Sequence, residues 1–154
     1  HARQIKLLFF GDLSRLNKHN QKIIQAAMDK TAQNNGLRLN IGLHYSGRWH
    51  VAKMVQDMAR SVEQGTLQVD AIDQDYIADW MCKGSWSEPD LLIRTGHEQR
   101  MSNFMLWHLA YTELHFPACF WPDFAEEQFD EALQVYAKRQ RRYGLHFSQI
   151  KERA

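Results

Sequence analysis

The sequence predicts an α/β fold, with a mostly parallel central sheet and helices on both faces. Short apolar runs of strand length alternate along the chain with stretches whose apolar residues recur every three or four positions. Such alternation favours parallel strands, because the intervening helix carries the chain back to the same edge of the sheet. A length of 154 residues suits one domain with a real core and is short for two, so a single domain over residues 1–154 is expected.

Residues 5–10 are apolar except for Lys6 and close on Gly11 and Asp12, which reads as a buried strand and a turn. Leu16, Ile23, Ile24, Ala27 and Met28 then recur at helical spacing. Asn17 is a plausible cap and Asn34, Asn35 and Gly36 a stop, placing a helix over about residues 17–33. In residues 37–43, Leu37, Leu39, Ile41 and Leu43 alternate with Arg38, Asn40 and Gly42, the period of a strand. Val51, Met54, Val55, Met58, Ala59 and Val62 mark an amphipathic helix over residues 49–62 that ends at Gly65. A shorter helix with an aspartate-rich polar side covers about residues 73–82. Leu91, Leu92 and Ile93 form a short strand, and a helix over about residues 103–110 and a strand over 113–116 follow. Pro117 and Pro122 bracket a loop before a final helix, about 125–143, with Phe129, Leu133, Tyr136 and Ala137 on its apolar face. There is no internal repeat or low-complexity tract.

Composition narrows the function classes. Charged residues are 24% and hydrophobic residues 44%, ordinary for a soluble globular protein. A formal net charge of +1 gives no general argument for nucleic acid as a partner. Cys82 and Cys119 are far apart and in no metal-ligand spacing, so a reduced cytoplasmic setting is expected and neither thiol is a candidate nucleophile. No apolar run approaches the length that crosses a bilayer. A lipid substrate would have to come to a soluble protein. His1 to Gln4 lead almost directly into a strand without an initiator methionine, as expected of a piece of a longer chain.

The stretch from Pro89 to Asn103 holds the chemistry. Its apolar triplet ends in a polar turn containing Gly96, and Ser102 or Asn103 is placed to cap the helix expected behind it. Such a turn lies beyond the carboxyl end of a strand, where α/β sheets bind ligands, with a helix N-terminus offering free N–H groups. Arg94 and Arg100 add two guanidinium forks, and Thr95 and Ser102 two hydroxyls, so the turn suits an anion with many oxygens, such as a diphosphate. Taken alone, it could equally be a solvated βα loop that carries two arginines.

Three blocks decide between those readings. Arg94, Thr95, Gly96, Glu98, Arg100, Ser102, Asn103 and Phe104 continue through Leu106, Trp107, Ala110, Tyr111, Glu113, Leu114 and Phe116 to Trp121, Pro122, Asp123 and Phe124. Leu39, Asn40 and Ile41 precede Tyr45, Gly47, Arg48 and Trp49. Arg139, Arg141, Arg142, Tyr143 and Gly144 close the series. In this order, over nearly the whole chain, they resemble the cis-prenyltransferase family, also called isoprenyl transferases, and its bacterial undecaprenyl diphosphate synthase branch above all. The resemblance implies condensation of isopentenyl diphosphate with an allylic diphosphate, farnesyl diphosphate at first, to a cis-polyprenyl diphosphate such as undecaprenyl diphosphate. It implies Mg2+ as cofactor, a cytoplasmic homodimer, and room for transient membrane association at product release.

By the same resemblance Arg94, Arg100 and Ser102 hold the diphosphate of isopentenyl diphosphate, and Glu113 supplies a carboxylate for magnesium. Spacing alone would leave Glu113 a strand-end charge. Arg142 and Gly144 match an Arg-x-Gly motif that completes the site of a dimer partner, although a basic last turn also complements a helix dipole. His44, His50, Glu113 and His115 invite a zinc assignment, but no recurring ligand pattern supports one.

The departures are specific. His44, Tyr45, Ser46, Gly47 and Arg48 stand where the family commonly has Asn-Tyr-Gly-Gly-Arg, and His50 replaces a common acidic residue. His97 stands where a second glycine commonly follows Gly96. If that position needs positive φ, His97 brings strain; alternatively its imidazole adds a donor for phosphate, with an altered pH response. The family's N-terminal Met-Asp-Gly-Asn loop, with its catalytic aspartate, is not matched by Met28, Asp29 and Lys30. The catalytic aspartate is therefore expected outside this chain, which by itself is expected to be inactive. Two other readings remain: a non-catalytic partner subunit of a cis-prenyltransferase, which would have no need of Arg94, Arg100, Ser102 and Glu113, and an unrelated α/β phosphate-binding module.

Overall fold

The computed structural model describes residues 3–82 and 87–139, which fall into two compact units, His1–Val69 and Asp70–Ala154. Each unit carries one parallel strand pair with helices, the α/β arrangement the alternation predicts.

In the first unit β1 (Lys6–Phe10) pairs in parallel with β2 (Arg38–Gly42), Lys6 opposite Arg38 and Phe10 opposite Gly42. The connecting helix α1 (Lys18–Thr31) starts where the sequence predicts, with the Asn17 side chain accepting from the Asn20 N–H at 2.8 Å. Its last turn is tied to the strand. Thr31 Oγ1 accepts from the Leu7 N–H at 3.1 Å and donates to the Ala27 carbonyl. The residues that stop the helix also hold the strand. Buried Asn34 donates through Nδ2 to the Ile5 carbonyl at 2.7 Å, and the Gly36 N–H donates to the Gln4 carbonyl. The alternation in β2 is less faithfully used, since Leu37 and Leu39 stay largely exposed. Gly11 follows β1 at φ +107, and a Cβ there would lie 2.1 Å from the Leu43 carbonyl oxygen, so the close approach requires glycine.

Helix α2 (Gly47–Glu63) begins two residues earlier than its apolar period suggests, because Ser46 caps it by accepting from the Trp49 N–H at 3.2 Å. Its buried stripe is narrow. Met54 and Met58 are each 6% exposed, while Val51 and Val55 remain in contact with solvent. On the outer side Asp57 pairs with Lys53 one turn earlier and with Arg60 at 3.5 Å.

In the second unit α3 (Gln74–Met81) is capped by Asp73, which accepts from the Tyr76 N–H at 2.8 Å. Strand β3 (Leu91–Ile93) pairs in parallel with β4 (Glu113–His115), Leu91 opposite Glu113 and Ile93 opposite His115. Met81, Met105, Leu109 and Ala132 form the buried apolar residues, joined by His108, whose Nε2 lies 3.0 Å from the Met81 carbonyl.

The helix expected over residues 103–110 is absent. Ser102, Asn103 and Met105 have φ of 45°, 64° and 44°, and left-handed residues cannot propagate a right-handed helix. The segment is a run of turns in which the Leu109 N–H reaches the Met105 carbonyl at 3.1 Å. Apolar residues recur there at helical spacing, but burial of Met105, His108 and Leu109 is achieved by a winding path.

Helix α4 (Glu126–Ala137) packs on β4. Ala125 has no capping side chain, and instead the Gln128 amide oxygen reaches back to accept from the Ala125 N–H at 2.9 Å. Phe129 and Leu133, expected on the inner face, are 45% and 41% exposed; the fully buried position is Ala132, whose small side chain permits close approach. The expected continuation to residue 143 falls mostly outside the described residues. No helix among those described is long and apolar enough to cross a membrane.

Candidate active site

The site is built on the end of β3. The Arg94 N–H donates to the His115 carbonyl at 3.0 Å, extending the ladder by one bond, and the chain then leaves the sheet through Thr95. Gly96 and His97 take φ of 89° and 57°, and the Gly96 N–H donates to the Cys119 carbonyl at 2.8 Å. The position after Gly96 does need positive φ. The His97 ring, however, is exposed and lies edge-on to Phe120, with centroids 4.8 Å apart, and does not line the cleft.

The turn folds back on itself through Arg94. Its Nη1 donates to the Ser102 Oγ at 2.8 Å and to the Arg100 carbonyl. Arg94 and Ser102 thus meet across eight residues of chain, and Ser102 does so from a left-handed backbone rather than capping a helix. Around them opens a cleft of about 340 Å³ lined by Leu92, Ile93, Arg94, Thr95, Met101, Ser102 and Phe104. Its lining combines apolar side chains with a cation and two hydroxyls, a composition able to seat an oxyanion beside a hydrocarbon group. The Arg100 guanidinium stands outside the lining and pairs with Glu98 at 2.5 Å. The helix N-terminus expected behind the turn is missing with its helix, so the side chains, rather than a dipole, supply the positive end.

Glu113 lies apart from the cleft lining, at the start of β4 and roughly 7 Å along the strand from His115. Its Oε2 accepts from Arg139 Nη1 at 2.6 Å, and the pair is partly buried, with side-chain exposures of 25% and 36%. Among the described residues no three His, Cys, Asp or Glu side chains come together as a metal site. Arg142 and Gly144 lie outside the described residues.

The block from His44 to His50 belongs to the first unit. His44 has φ of 47°, a conformation that asparagine adopts readily and histidine tolerates. Tyr45 is packed edge-on against Phe10, Trp49 and His50, and its hydroxyl lies 3.3 Å from His50 Nδ1. Burial pushes the Tyr45 phenol up to about 12. Cys82 is a free thiol raised above its ordinary range by burial and then by the carboxylates of Glu88 and Asp79, which disfavours the reactive thiolate.

Three pairings escaped sequence reasoning: Arg94 with Ser102, Glu98 with Arg100, and Glu113 with Arg139. Only the second carried a local signal, opposite charges two residues apart in a turn.

A strand, a polar turn with two arginines and a second parallel strand define the α/β class of the site, and comparison with known proteins names the family. The family model described as "Putative undecaprenyl diphosphate synthase" matches residues 1–144, and the chain belongs to this prenyltransferase family. It is 46% identical over 149 residues to the ditrans,polycis-undecaprenyl-diphosphate synthase, (2E,6E)-farnesyl-diphosphate specific, of Shewanella oneidensis, covering 97% of this chain and 54% of that protein. The Escherichia coli K12 protein of the same name is 44% identical over 144 residues, covering 94% of this chain and 57% of its own length. Among solved structures, lavandulyl diphosphate synthase from Lavandula x intermedia, in complex with dimethylallyl diphosphate, superposes with a TM-score of 0.88 at 34% identity, covering 94% of this chain and 62% of that one. The chain spans little more than half the length of the curated relatives it matches.

Proposed function

We propose that this chain is the C-terminal portion, folded as one domain, of a cytoplasmic isoprenyl transferase that condenses isopentenyl diphosphate with farnesyl diphosphate to a cis-polyprenyl diphosphate such as undecaprenyl diphosphate. The observation that carries the reading is the convergence of Arg94 and Ser102 on one cleft at the end of β3. The names of the relatives agree: farnesyl-diphosphate specific for two, and a bound allylic diphosphate for the third.

In this reading Arg94 and Ser102 hold the diphosphate of isopentenyl diphosphate, and Arg100 joins them by exchanging Glu98 for phosphate oxygens. The apolar wall formed by Leu92, Ile93 and Phe104 takes the short hydrocarbon part. Fixed donors of this kind stabilise charge without reorganising as it develops. Mg2+ is the proposed cofactor, and its chemistry when bound is to neutralise the allylic diphosphate as it leaves. The donor set fits that ion: magnesium keeps several waters and takes one or two carboxylates together with substrate phosphates, so the carboxylate of Glu113 is an adequate contribution from the described residues. The catalytic aspartate is assigned to a segment outside the chain. Arg142 and Gly144 are assigned to the site of a partner in a homodimer, and membrane contact to product release.

The test is turnover by the full-length protein given labelled isopentenyl diphosphate, farnesyl diphosphate and Mg2+. A long polyprenyl diphosphate containing cis double bonds is the expected product. Binding of isopentenyl diphosphate without any condensation would overturn the reading and leave a non-catalytic partner subunit.

A further inference from the structure

The ion pair of Glu113 is anchored by a strand at one end and by the residues just past a helix at the other. Its backbone is locked into β4, where its N–H donates to the Asp90 carbonyl at 3.1 Å. Arg139 follows the last residue of α4 by two positions, its N–H donates to the Tyr136 carbonyl at 3.0 Å, and α4 itself packs on β4. The contact is single: Nη1 meets Oε2 at 2.6 Å, and Oε1 receives no hydrogen bond among the described residues. Two anchored elements thus bring a permanent cation onto one oxygen of the carboxylate.

We propose that Arg139 competes electrostatically with a divalent cation for Glu113, so that Arg139 lowers and thereby sets the cation affinity of the site. The proposal rests on the reading of Glu113 as the magnesium carboxylate and adds a residue that tunes it. The carboxylate keeps lone pairs to spare, those of Oε1 among them, so the competition is electrostatic: a divalent cation on Glu113 would sit a few ångströms from the guanidinium, and two cations at that distance repel. Arginine keeps its charge throughout the working pH range, so the competition is constant rather than switched by protonation. Partial burial shields the pair from the screening that makes fully exposed pairs negligible. Arg139 is accordingly a positioning residue. It acts on Glu113, and only through Glu113 on the ion.

The experiment is a titration of the full-length protein with Mn2+ in the presence of inorganic pyrophosphate, reading free Mn2+ by electron paramagnetic resonance. The comparison includes wild type, Arg139→Gln, Arg139→Lys and Glu113→Gln. Arg139→Gln is expected to bind Mn2+ roughly two- to fivefold more tightly than wild type. Arg139→Lys, which keeps the charge, is expected to return most of the way to wild type, and Glu113→Gln to bind at least tenfold more weakly. A loss of binding in Glu113→Gln with no gain in Arg139→Gln would overturn the competition while leaving the metal role of Glu113 intact. Unchanged binding in Glu113→Gln would remove the metal role and the competition together. A purely structural Arg139 would shift the melting midpoint and leave the Mn2+ titration where it was.

Discussion

At the scale of single residues the left-handed positions are the informative ones. His97 adopts φ of 57°, which costs a non-glycine residue about 1 kcal/mol. Its edge-on contact with Phe120 returns a comparable amount, about 0.5–1.5 kcal/mol. Replacement by glycine removes both and is expected to leave thermal stability within about 0.5 kcal/mol of wild type, whereas His97→Ala keeps the strain, loses the contact and is expected to destabilise by about 1 kcal/mol. Paired denaturant melts of the two variants check this. Because the ring faces Phe120 rather than the cleft, His97→Gly is also expected to leave the pH profile of condensation unchanged. Tyr45 offers a second test. Its phenol, pushed up to about 12 by burial, ionises later than the unfolded value near 10, so the stability it contributes is present below pH 10 and is lost as pH rises toward 12. Ultraviolet titration at high pH should show the Tyr45 ionisation late, and Tyr45→Phe should abolish that step. The need for positive φ after Gly96 is legible in the sequence as a substituted glycine. Where the imidazole points is not, because that depends on Phe120, more than twenty residues away.

At the scale of elements, caps and strand pairs are legible where the chemistry is local. Asn17 and Asp73 accept from N–H groups three residues on, and strands β1 to β4 fall within the apolar runs that announce them. The segment after Ser102 departs from its helical spacing for a physical reason: apolar spacing reports what is buried, not the path the backbone takes to bury it. There Arg94 draws Ser102 inward, and the left-handed residues are three within four positions. Ser46 is the converse case, a departure from the family pattern with a visible compensation. Its hydroxyl caps α2, so Ser46→Ala is expected to lose about 1 kcal/mol, and Ser46→Gly only a few tenths, although glycine is the commoner residue there. Chemical denaturation with unchanged m-values checks both.

At the scale of the whole molecule, family and α/β class can be read from three motif blocks in order, and the comparisons place the chain in that family along residues 1–144. The site is legible as residue types but not as pairings. Arg94, Arg100 and Ser102 are marked by their chemistry, yet the structure gathers Arg94 and Ser102 on the cleft, holds Arg100 with Glu98, and sets Glu113 apart with Arg139. Such pairings between residues distant in the chain leave no spacing to read. They also define what the central claim must survive, namely that the Arg94–Ser102 cleft binds the diphosphate of isopentenyl diphosphate. The most direct test is steady-state kinetics of the full-length protein carrying Arg94→Ala, varying each substrate in turn. Loss of charged hydrogen bonds should raise the KM for isopentenyl diphosphate roughly a hundredfold and leave that for farnesyl diphosphate within a few-fold. A rise confined to farnesyl diphosphate, or no change for either substrate, would contradict it.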